Sequence, residues 1–281
     1  MKKVLITGGN GYIGSHLVKV LCDDYCDAYE VTATDLNDNY IDNRAKHVIC
    51  DIMKDAYSGN LYDKMNNPDI CIYLAWQDGF NHNADSHMEN LHLHFQFIKN
   101  LVDSGVKHLV VAGSFREYGR FAGMASEDID EPAENFYVLA KKTLRRAIEI
   151  YIQDKDVCFQ WIRPFTVYGD DQLNNSIMSK ILMWEKEGKE SFPFTEGNEE
   201  YDYIEVDELA HQIVAIASQT DIQGAINCCS GKPTKLKDKI LEFIENNDLK
   251  IKPDFGKFKS RSYDSAVIYG NREKLNKILG E

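Results

Sequence analysis

Three side chains in the middle of the sequence have the types and spacing of a proton-transfer site. Tyr137 and Lys141 are four residues apart, a spacing that places both side chains on one face of a helix. An ammonium beside a phenol lowers the pKa of the phenol from about 10 toward working pH, so Tyr137 is predicted to donate or accept a proton. Ser114 ends a predicted strand, where its hydroxyl could bind a substrate oxygen beside the tyrosine. We identify Ser114, Tyr137 and Lys141 as candidate catalytic residues.

A glycine-rich turn near the start of the chain has the spacing of a phosphate-binding loop. Gly9, Gly11 and Gly14 form a Gly-x-Gly-x-x-Gly motif that Gly8 precedes. Glycines let the backbone turn tightly and approach a pyrophosphate, while a helix N-terminus offers unpaired N–H groups and the positive end of a dipole. Because the motif follows a predicted strand and opens a predicted helix, it predicts a bound dinucleotide.

An acidic residue, Asp35, ends the second predicted strand. It follows the glycine loop at about the ~20-residue separation of dinucleotide-binding sequences. Its carboxylate is expected to accept hydrogen bonds from the ribose hydroxyls of the adenosine. The same negative charge repels a 2′-phosphate, so Asp35 favours NAD(H) over NADP(H) as the cofactor.

Alternating strands and helices are predicted to position these groups. Short apolar runs predict strands at 4–7, 30–35, 46–51, 69–75, 107–112, 157–162 and 224–229. Apolar residues at helical spacing predict a first helix that carries Ile13, Leu17, Val18 and Leu21, and further helices at 84–104, 136–153 and roughly 206–218. This alternation implies a parallel sheet with helices on both faces.

The character of the sequence changes after Pro164, where a polar stretch begins. We therefore predict an α/β fold, a Rossmann-type doubly wound parallel sheet with a small C-terminal substrate-binding lobe. The dinucleotide-binding domain is assigned to residues 1–168, with 201–228 returning to it. The lobe is assigned to 169–200 and 229–281.

Composition and charge exclude several classes of protein. The chain has 281 residues, 43% of them hydrophobic, which is enough to form a core without metal or disulfides. Its net charge of -13 argues against a nucleic-acid partner, which needs a basic surface. Its seven cysteines show no CxxC pairing, as is typical of a reducing compartment. No apolar run approaches the ~20 residues that span a bilayer, so we expect a cytoplasmic protein without a membrane partner.

Along nearly its whole length the sequence resembles the extended short-chain dehydrogenase/reductase family, in its nucleotide-sugar epimerase, dehydratase and reductase branch. The segments that carry the resemblance are the glycine loop at 7–14, Asp51-Ile52, Leu74-Ala75, Asn90, the segment 114–119, Tyr137 with Lys141, the RPxxVYG-like segment 163–169, and the segment 202–210. Their order matches that of the family. The resemblance implies a nicotinamide cofactor, a nucleotide-sugar substrate and a place in nucleotide-sugar metabolism that serves cell-surface polysaccharide biosynthesis.

The same resemblance implies roles for individual residues. Cofactor contacts are expected from Gly8, Gly11, Tyr12, Ile13, Gly14, Asp35, Asp51, Ile52, Leu74, Ala75, Lys141 and Pro164. Substrate contacts are expected from Asn90, from His82 soon after the fourth strand, and from Arg261. Relatives often place a diphosphate-binding arginine at the position of Arg261, although a solvated surface charge would also account for it.

Four histidines, at 82, 87, 92 and 94, lie close to Glu89 and raise the question of a metal site. Their spacing scatters them around a helix and not onto one tetrahedral face. We therefore predict no metal and assign them as surface or interface histidines, with His82 also able to line the sugar pocket.

Departures from the family pattern exclude one of the reactions that members of the family catalyse. Related 4,6-dehydratases carry an acid pair directly after the catalytic Ser or Thr, where this chain has Phe115 and Arg116. Phenylalanine cannot transfer a proton and arginine stays protonated, so dehydratase activity is not expected. The segment 113–119 is closer to that of 4-ketosugar reductases. Tyr201 stands where the family has an arginine, so that phosphate contact is lost or moved.

These observations favour reduction of a nucleotide-linked 4-keto-6-deoxysugar by NAD(P)H. One alternative is a nucleotide-sugar 4-epimerase, which would use the same residues and keep NAD tightly bound. An alternative of another class is a non-catalytic NAD(H)-binding regulator, against which the intact Tyr137 and Lys141 argue. Apolar residues beyond one face of the helices at 84–104 and 136–153 predict a homodimer.

Overall fold

A computed structural model describes residues 1–169, 176–259 and 265–281 of the chain. The strands are β1 Lys2–Thr7, β2 Tyr29–Asp35, β3 Lys46–Ile49, β4 Ile70–Tyr73, β5 His108–Ala112, β6 Gly123–Ala125, β7 Cys158–Pro164, β8 Thr166–Tyr168, β9 Ser191–Pro193, β10 Glu200–Glu205, β11 Gly224–Cys228, β12 Pro233–Lys235, β13 Lys252–Asp254 and β14 Val267–Gly270. The helices are α1 Tyr12–Asp24, α2 Ile52–Asp55, α3 Leu61–Lys64, α4 Ser86–Glu89, α5 Leu91–Ser104, α6 Phe136–Ile152, α7 Ile177–Lys186, α8 Val206–Ser218, α9 Leu236–Asn246 and α10 Glu273–Leu279, with a short 3-10 helix at Phe115–Tyr118.

Seven strands form one sheet in the order β11-β7-β5-β4-β1-β2-β3, and every neighbouring pair is parallel. The order runs outward in both directions from β1 and β4, so the sheet reverses its winding between these two strands. In open sheets of this kind ligands bind at the carboxyl edge of the strands where the winding reverses. The predicted α/β class with a doubly wound parallel sheet is confirmed.

Alternation along each strand explains why helices cover both faces of the sheet. Val4 and Ile6 of β1 pack into the core beneath α1 and α8, whereas Leu5 packs into the core beneath α5 and α6. Side chains of successive strand residues point to opposite faces, so a continuous apolar run must be buried on both sides. The helices supply that cover.

A second, smaller group of elements lies beyond the carboxyl ends of the main strands. Strand β10 pairs with β8, β12 and β14, and β14 in turn pairs with β6. An aromatic-rich core of its own lies under α7 and α9; its buried members are Met178, Ile181, Phe192, Phe194, Tyr203, Ile240, Phe243 and Ile251. We propose that the elements within 169–200, and those from 229 up to the last helix, form the substrate-binding lobe, whereas β6, β8 and β10 fall in the ranges assigned to the dinucleotide-binding domain. Helix α10 itself packs on α8, and its Leu275 lies in the main core.

Several details of the elements differ from the sequence prediction. The helix predicted at 84–104 begins at Ser86 and is interrupted at Asn90. Strand β3 ends at Ile49 instead of residue 51 because the Asp51 carboxylate caps α2 by accepting a hydrogen bond from the Met53 amide. The polar stretch after Pro164 contains helix α7, whose buried face is short.

Within the ranges described, no helix has the length and apolar character that crossing a membrane requires.

Candidate active site

The glycine loop lies at the carboxyl end of β1, where the sheet reverses its winding. Gly8 has φ +74°, and a Cβ on it would lie 2.9 Å from the Ala75 amide nitrogen. A Cβ on Gly14 would lie 2.0 Å from the Gly8 carbonyl oxygen. Gly11 is the exposed N-cap of α1 and has no side chain to occupy the first N–H groups of the helix. The loop therefore leaves a backbone cradle at a positive helix end, which fits the pyrophosphate of a dinucleotide.

Adding a methyl group to this loop gives a first test. We expect Gly14→Ala to weaken NADH binding at least tenfold, because its Cβ must displace the backbone at Gly8. Fluorescence titration with NADH measures the effect. Gly59→Ala is a suitable control, because no atom lies within 4 Å of its Cβ, and it should bind NADH like the unaltered chain. Equal affinity in the Gly14 variant would contradict the role of the loop.

Asp35 lies at the end of β2, beside the glycine loop. One carboxylate oxygen accepts a hydrogen bond from the Asn10 amide at 3.0 Å, and the other accepts one from the Leu36 amide at 2.7 Å. The carboxylate is therefore held at a fixed place beside the glycine turn. The backbone carbonyl of Asp35 accepts a hydrogen bond from the Cys50 amide, which places Asp51 and the buried Ile52 next to the same strand end.

The remaining predicted cofactor contacts lie around this loop. Leu74 and Ala75 follow β4, and their amides donate to the carbonyl and hydroxyl oxygens of Thr7. Tyr12 and Ile13 open α1. Pro164 ends β7, two strands from β4 across the sheet. All of these predicted contacts are at, or directly after, the carboxyl ends of the main strands.

Tyr137 and Ser114 meet at the carboxyl end of β5. Asn135 caps α6 with its side chain and so starts the helix that carries Tyr137. Ser114 is buried and caps the 3-10 helix, its hydroxyl oxygen accepting from the Arg116 amide at 3.2 Å. The Ser114 side chain lies beside the Tyr137 phenol. Because the serine oxygen already accepts from a backbone amide, the proton of its hydroxyl is left to bind an oxygen next to it.

Lys141 lies one turn further along α6 and is buried, with 3% of its surface exposed. Its ammonium donates a 2.7 Å hydrogen bond to the Ala112 carbonyl oxygen, the last residue of β5. The same nitrogen lies 3.8 Å from the ring centre of Trp76 and 5.9 Å from that of Tyr137. Burial lowers the pKa of Lys141 to about 7, while the negative charge of Glu117 opposes the change.

The expectation that the pKa of the Tyr137 phenol is lowered is wrong. Burial raises the pKa of Tyr137 to about 12, and the neighbouring Ser114 side chain only partly opposes this rise. The reason is that both groups lose water together, so that the neutral form of each is favoured. Tyr137 therefore stays protonated at neutral pH, which suits a proton donor.

The buried carboxylate of Glu117 connects the segment around Ser114 to strand β7. One of its oxygens accepts from the Ser114 amide at 2.9 Å and from the Trp161 indole N–H, and the other forms a 3.1 Å ion pair with Arg163. A Cβ on Gly113 would lie 2.3 Å from this carboxylate, so glycine is required there. Sequence reasoning did not single out Glu117. With its oxygens held by these donors, we assign it a structural role and not proton transfer.

The assignment of the histidines to the surface is wrong for three of the four. His82, His87 and His94 are buried, and only His92 is exposed. His82 stacks on Tyr137 at 5.5 Å between ring centres, and its carbonyl accepts from the Tyr137 amide. The contacts explain the difference, because His87 and His94 pack on the indole of Trp76 and His82 packs on the Tyr137 ring. In the described ranges, no three His, Cys, Asp or Glu side chains group as metal ligands would.

The other predicted substrate contacts are less closely grouped. Asn90 lies at the start of α5, and its side-chain amide donates a hydrogen bond to the side-chain oxygen of Gln77 at 3.3 Å. Phe115 stacks on Phe165 at 5.5 Å, and the guanidinium of Arg116 lies 5.2 Å from the Phe115 ring. Arg261 lies outside the described residues.

Comparison with known proteins agrees with this geometry. The sequence model of the NAD dependent epimerase/dehydratase family matches residues 4–229. A dTDP-6-deoxy-L-talose 4-dehydrogenase (NAD(+)) from Aggregatibacter actinomycetemcomitans is 35% identical over 276 residues, which are 95% of this chain and 98% of that protein. A CDP-abequose synthase from Yersinia pseudotuberculosis is 23% identical over 79% of this chain and 75% of its own length.

Solved structures share the fold at lower identity. A UDP-N-acetylglucosamine 4-epimerase from Methanobrevibacter ruminantium M1 superposes with a TM-score of 0.84 at 21% identity, covering 99% of this chain and 91% of that chain. A UDP-glucuronic acid 4-epimerase from Bacillus cereus, in complex with UDP-glucuronic acid and NAD, gives a TM-score of 0.83 at 20% identity and covers 99% and 93%. With the glycine loop, the family match and these folds in agreement, the chain belongs to the NAD dependent epimerase/dehydratase family and is an NAD-dependent enzyme of the extended short-chain dehydrogenase/reductase class.

Proposed function

We propose that this enzyme interconverts a nucleotide-linked 4-keto-6-deoxysugar and the corresponding 6-deoxysugar alcohol, acting as a 4-ketosugar reductase with NADH. One observation carries the proposal: Ser114 and Lys141 both lie beside Tyr137 near the end of β5, while Phe115 and Arg116 occupy the positions of the dehydratase acid pair. At those two positions the chain therefore carries no group that exchanges a proton at neutral pH.

Each of the three residues has its own role in the proposed reaction. A bound NADH would supply the hydride for C4 of the sugar and would thereby be oxidised to NAD⁺. Tyr137, protonated at neutral pH, donates its proton to the developing C4 alkoxide. The hydroxyl of Ser114 donates a hydrogen bond to the same oxygen. The ammonium of Lys141 supplies positive charge beside the phenol and stabilises the phenolate that remains.

The relative of known activity supports the sugar class. Its name describes oxidation at C4 of dTDP-6-deoxy-L-talose with NAD⁺, which is the reverse of the reaction proposed here. The similarity extends over 95% of this chain, so the sugar-binding segments are included. We propose a dTDP-linked 6-deoxyhexose as the first substrate to test, with His82, Asn90 and Arg261 among the residues that contact it.

The experiment is a direct assay of the purified protein with nucleotide-linked 4-keto-6-deoxysugars. We expect loss of NADH in proportion to the 6-deoxysugar that forms. A 4-epimerase would instead interconvert two sugars with no net change in NADH, and would retain NAD through extensive dialysis. A protein that binds NADH but changes none of the sugars would be the non-catalytic regulator, and would contradict the proposal.

The choice between the two nicotinamide cofactors gives a second prediction. The Asp35 carboxylate is fixed beside the glycine loop, where its charge repels a 2′-phosphate. We expect Asp35→Asn, which keeps an acceptor oxygen, to lower the preference for NADH over NADPH about tenfold. Asp38→Asn in the following loop is the control and should leave the ratio unchanged. The measurement is kcat/KM with each cofactor. An unchanged ratio for Asp35→Asn would contradict this role.

We also propose that the enzyme is a homodimer that pairs α5 and α6 with their symmetry mates. Leu139 and Ile150 on α6 are exposed by 41% and 58%, although both are apolar. A groove of about 260 Å³ lies between the two helices, lined by Met88, Leu91, Phe95, Ala147 and their neighbours. We expect light scattering to give a dimer mass at micromolar concentration and Leu139→Lys to give a monomer. A monomer without substitution would contradict the proposal.

A further inference from the structure

The side chain of Trp76 lies against the ammonium of Lys141 at the centre of the site. The lysine nitrogen is 3.8 Å from the centre of the indole ring. An ammonium at this distance is attracted by the negative face of the ring, and the attraction is strongest where water is excluded. Lys141 is buried, and within the described residues its nitrogen also contacts the Ala112 carbonyl oxygen at 2.7 Å and the Tyr137 ring at 5.9 Å. The indole and the Ala112 carbonyl are therefore the nearer groups that fix the position of the ammonium.

Trp76 is itself held in place by two buried histidines. His94 stacks on the indole with 4.3 Å between ring centres and 9° between planes. The indole N–H donates to Nδ1 of His87 at 3.1 Å. Because that nitrogen accepts, the proton of His87 is on Nε2, which donates to the Asn81 carbonyl oxygen at 2.9 Å. One face and the N–H edge of the indole are thus fixed by residues outside α6.

The ionisable groups around Lys141 come from several elements. His87 lies on α4 and His94 on α5, and the His94 ring is hydrogen-bonded to the Tyr73 hydroxyl of β4 at 2.7 Å. Glu117 faces the lysine from the 3-10 helix and Tyr137 from α6 itself. Burial lowers the pKa of His94 to about 3, with Lys141 contributing, so the stacked ring is neutral.

We propose that Trp76 is a positioning residue for the catalytic lysine, its indole face holding the Lys141 ammonium at the end of β5 and the His94 ring holding the indole. The proposal rests on the proposed function, since Lys141 matters only if it acts in the reaction. The indole also packs edge-on against the Tyr137 ring, with 6.2 Å between ring centres. It acts by restricting where the charge of Lys141 lies relative to Tyr137.

The test compares Trp76→Phe, which keeps an aromatic face, with Trp76→Leu, which removes it. Proton binding at Lys141 is followed in the unliganded chain by NMR of labelled lysine, with Lys141→Met to assign the signal. We expect Trp76→Leu to weaken proton binding about tenfold and Trp76→Phe to change it less than twofold. We expect kcat/KM for ketosugar reduction to fall about tenfold in Trp76→Leu and to be largely restored in Trp76→Phe.

Trp184→Leu is a matched control for the titration, because Lys189 lies 3.9 Å from the centre of that indole, away from Lys141; it should leave proton binding at Lys141 unchanged. Proton binding at Lys141 that is unchanged or strengthened in Trp76→Leu would overturn the proposal, since the ring would then be packing only. If the unaltered enzyme reduces no ketosugar, the proposed function fails, whereas the lysine titration still decides the role of Trp76.

Discussion

Tyr137→Phe is expected to lower kcat/KM by about 10³ while NADH affinity and thermal stability stay unchanged. The substitution removes one hydroxyl, and with it the proton that must reach the C4 oxygen. Ser114 cannot replace it, because a serine hydroxyl is a much weaker acid than the phenol. The ring that stacks on His82 is retained, so the packing of α6 against the loop after β4 is preserved.

Tyr151→Phe on the same helix is the control for this experiment. The Tyr151 hydroxyl is hydrogen-bonded to Asp103 on α5, far along α6 from the site. We expect that variant to keep full activity. Retention of more than about a tenth of the activity in Tyr137→Phe would show that another group supplies the proton.

Lys141→Met is expected to have two opposite effects: activity falls by about 10² to 10³, while the unliganded protein becomes more stable. A buried ammonium is unfavourable because water no longer solvates it. Methionine has similar length and no charge, so it removes this cost. The loss of the hydrogen bond to Ala112 cancels part of the gain. We expect a net increase of about 2 kcal/mol in the free energy of unfolding at pH 6.

The pH dependence of this gain follows from the folded pKa of about 7 for Lys141 and an unfolded value of about 10.4. Below pH 7 both states are protonated, and the folded state bears the full cost of the charge. Between about pH 7 and 10 the unfolded state binds more protons, so the unaltered protein becomes more stable as the pH rises. The advantage of Lys141→Met should therefore be largest at pH 6 and shrink toward pH 10.

Chemical denaturation at several pH values measures this difference. Lys142→Met is the control, since Lys142 is ion-paired with the exposed Asp130 and should gain no stability from the change. A Lys141→Met protein that is less stable than the unaltered chain at every pH would contradict the conclusion that the buried ammonium destabilises the folded state.

The parts of this site that could be predicted from the sequence are those governed by local spacing. Gly14 is needed because the backbone of Gly8 approaches it closely, and Tyr137 and Lys141 share a face because they are one turn apart. Each of these constraints acts within a short segment, so residue type and position reveal it. Strand order then follows, because apolar runs separated by helices can form a parallel sheet.

The parts that could not be predicted depend on contacts between distant segments. Trp76, His94 and Lys141 belong to three elements, and each residue type is common in ordinary packing. Glu117 could not be recognised as buried, because its partners Trp161 and Arg163 lie more than forty residues away. The phenol pKa was predicted in the wrong direction because spacing gives proximity and not burial.

Hydride transfer to C4 is measured most directly with NADH that carries deuterium at the transferable position, together with a dTDP-linked 4-keto-6-deoxysugar. We predict that one NADH is consumed for each 6-deoxysugar formed, that deuterium appears at C4 of that sugar, and that Tyr137→Phe slows the transfer by about 10³. Formation of two interconverting sugars without net NADH consumption, or deuterium absent from C4, would contradict it.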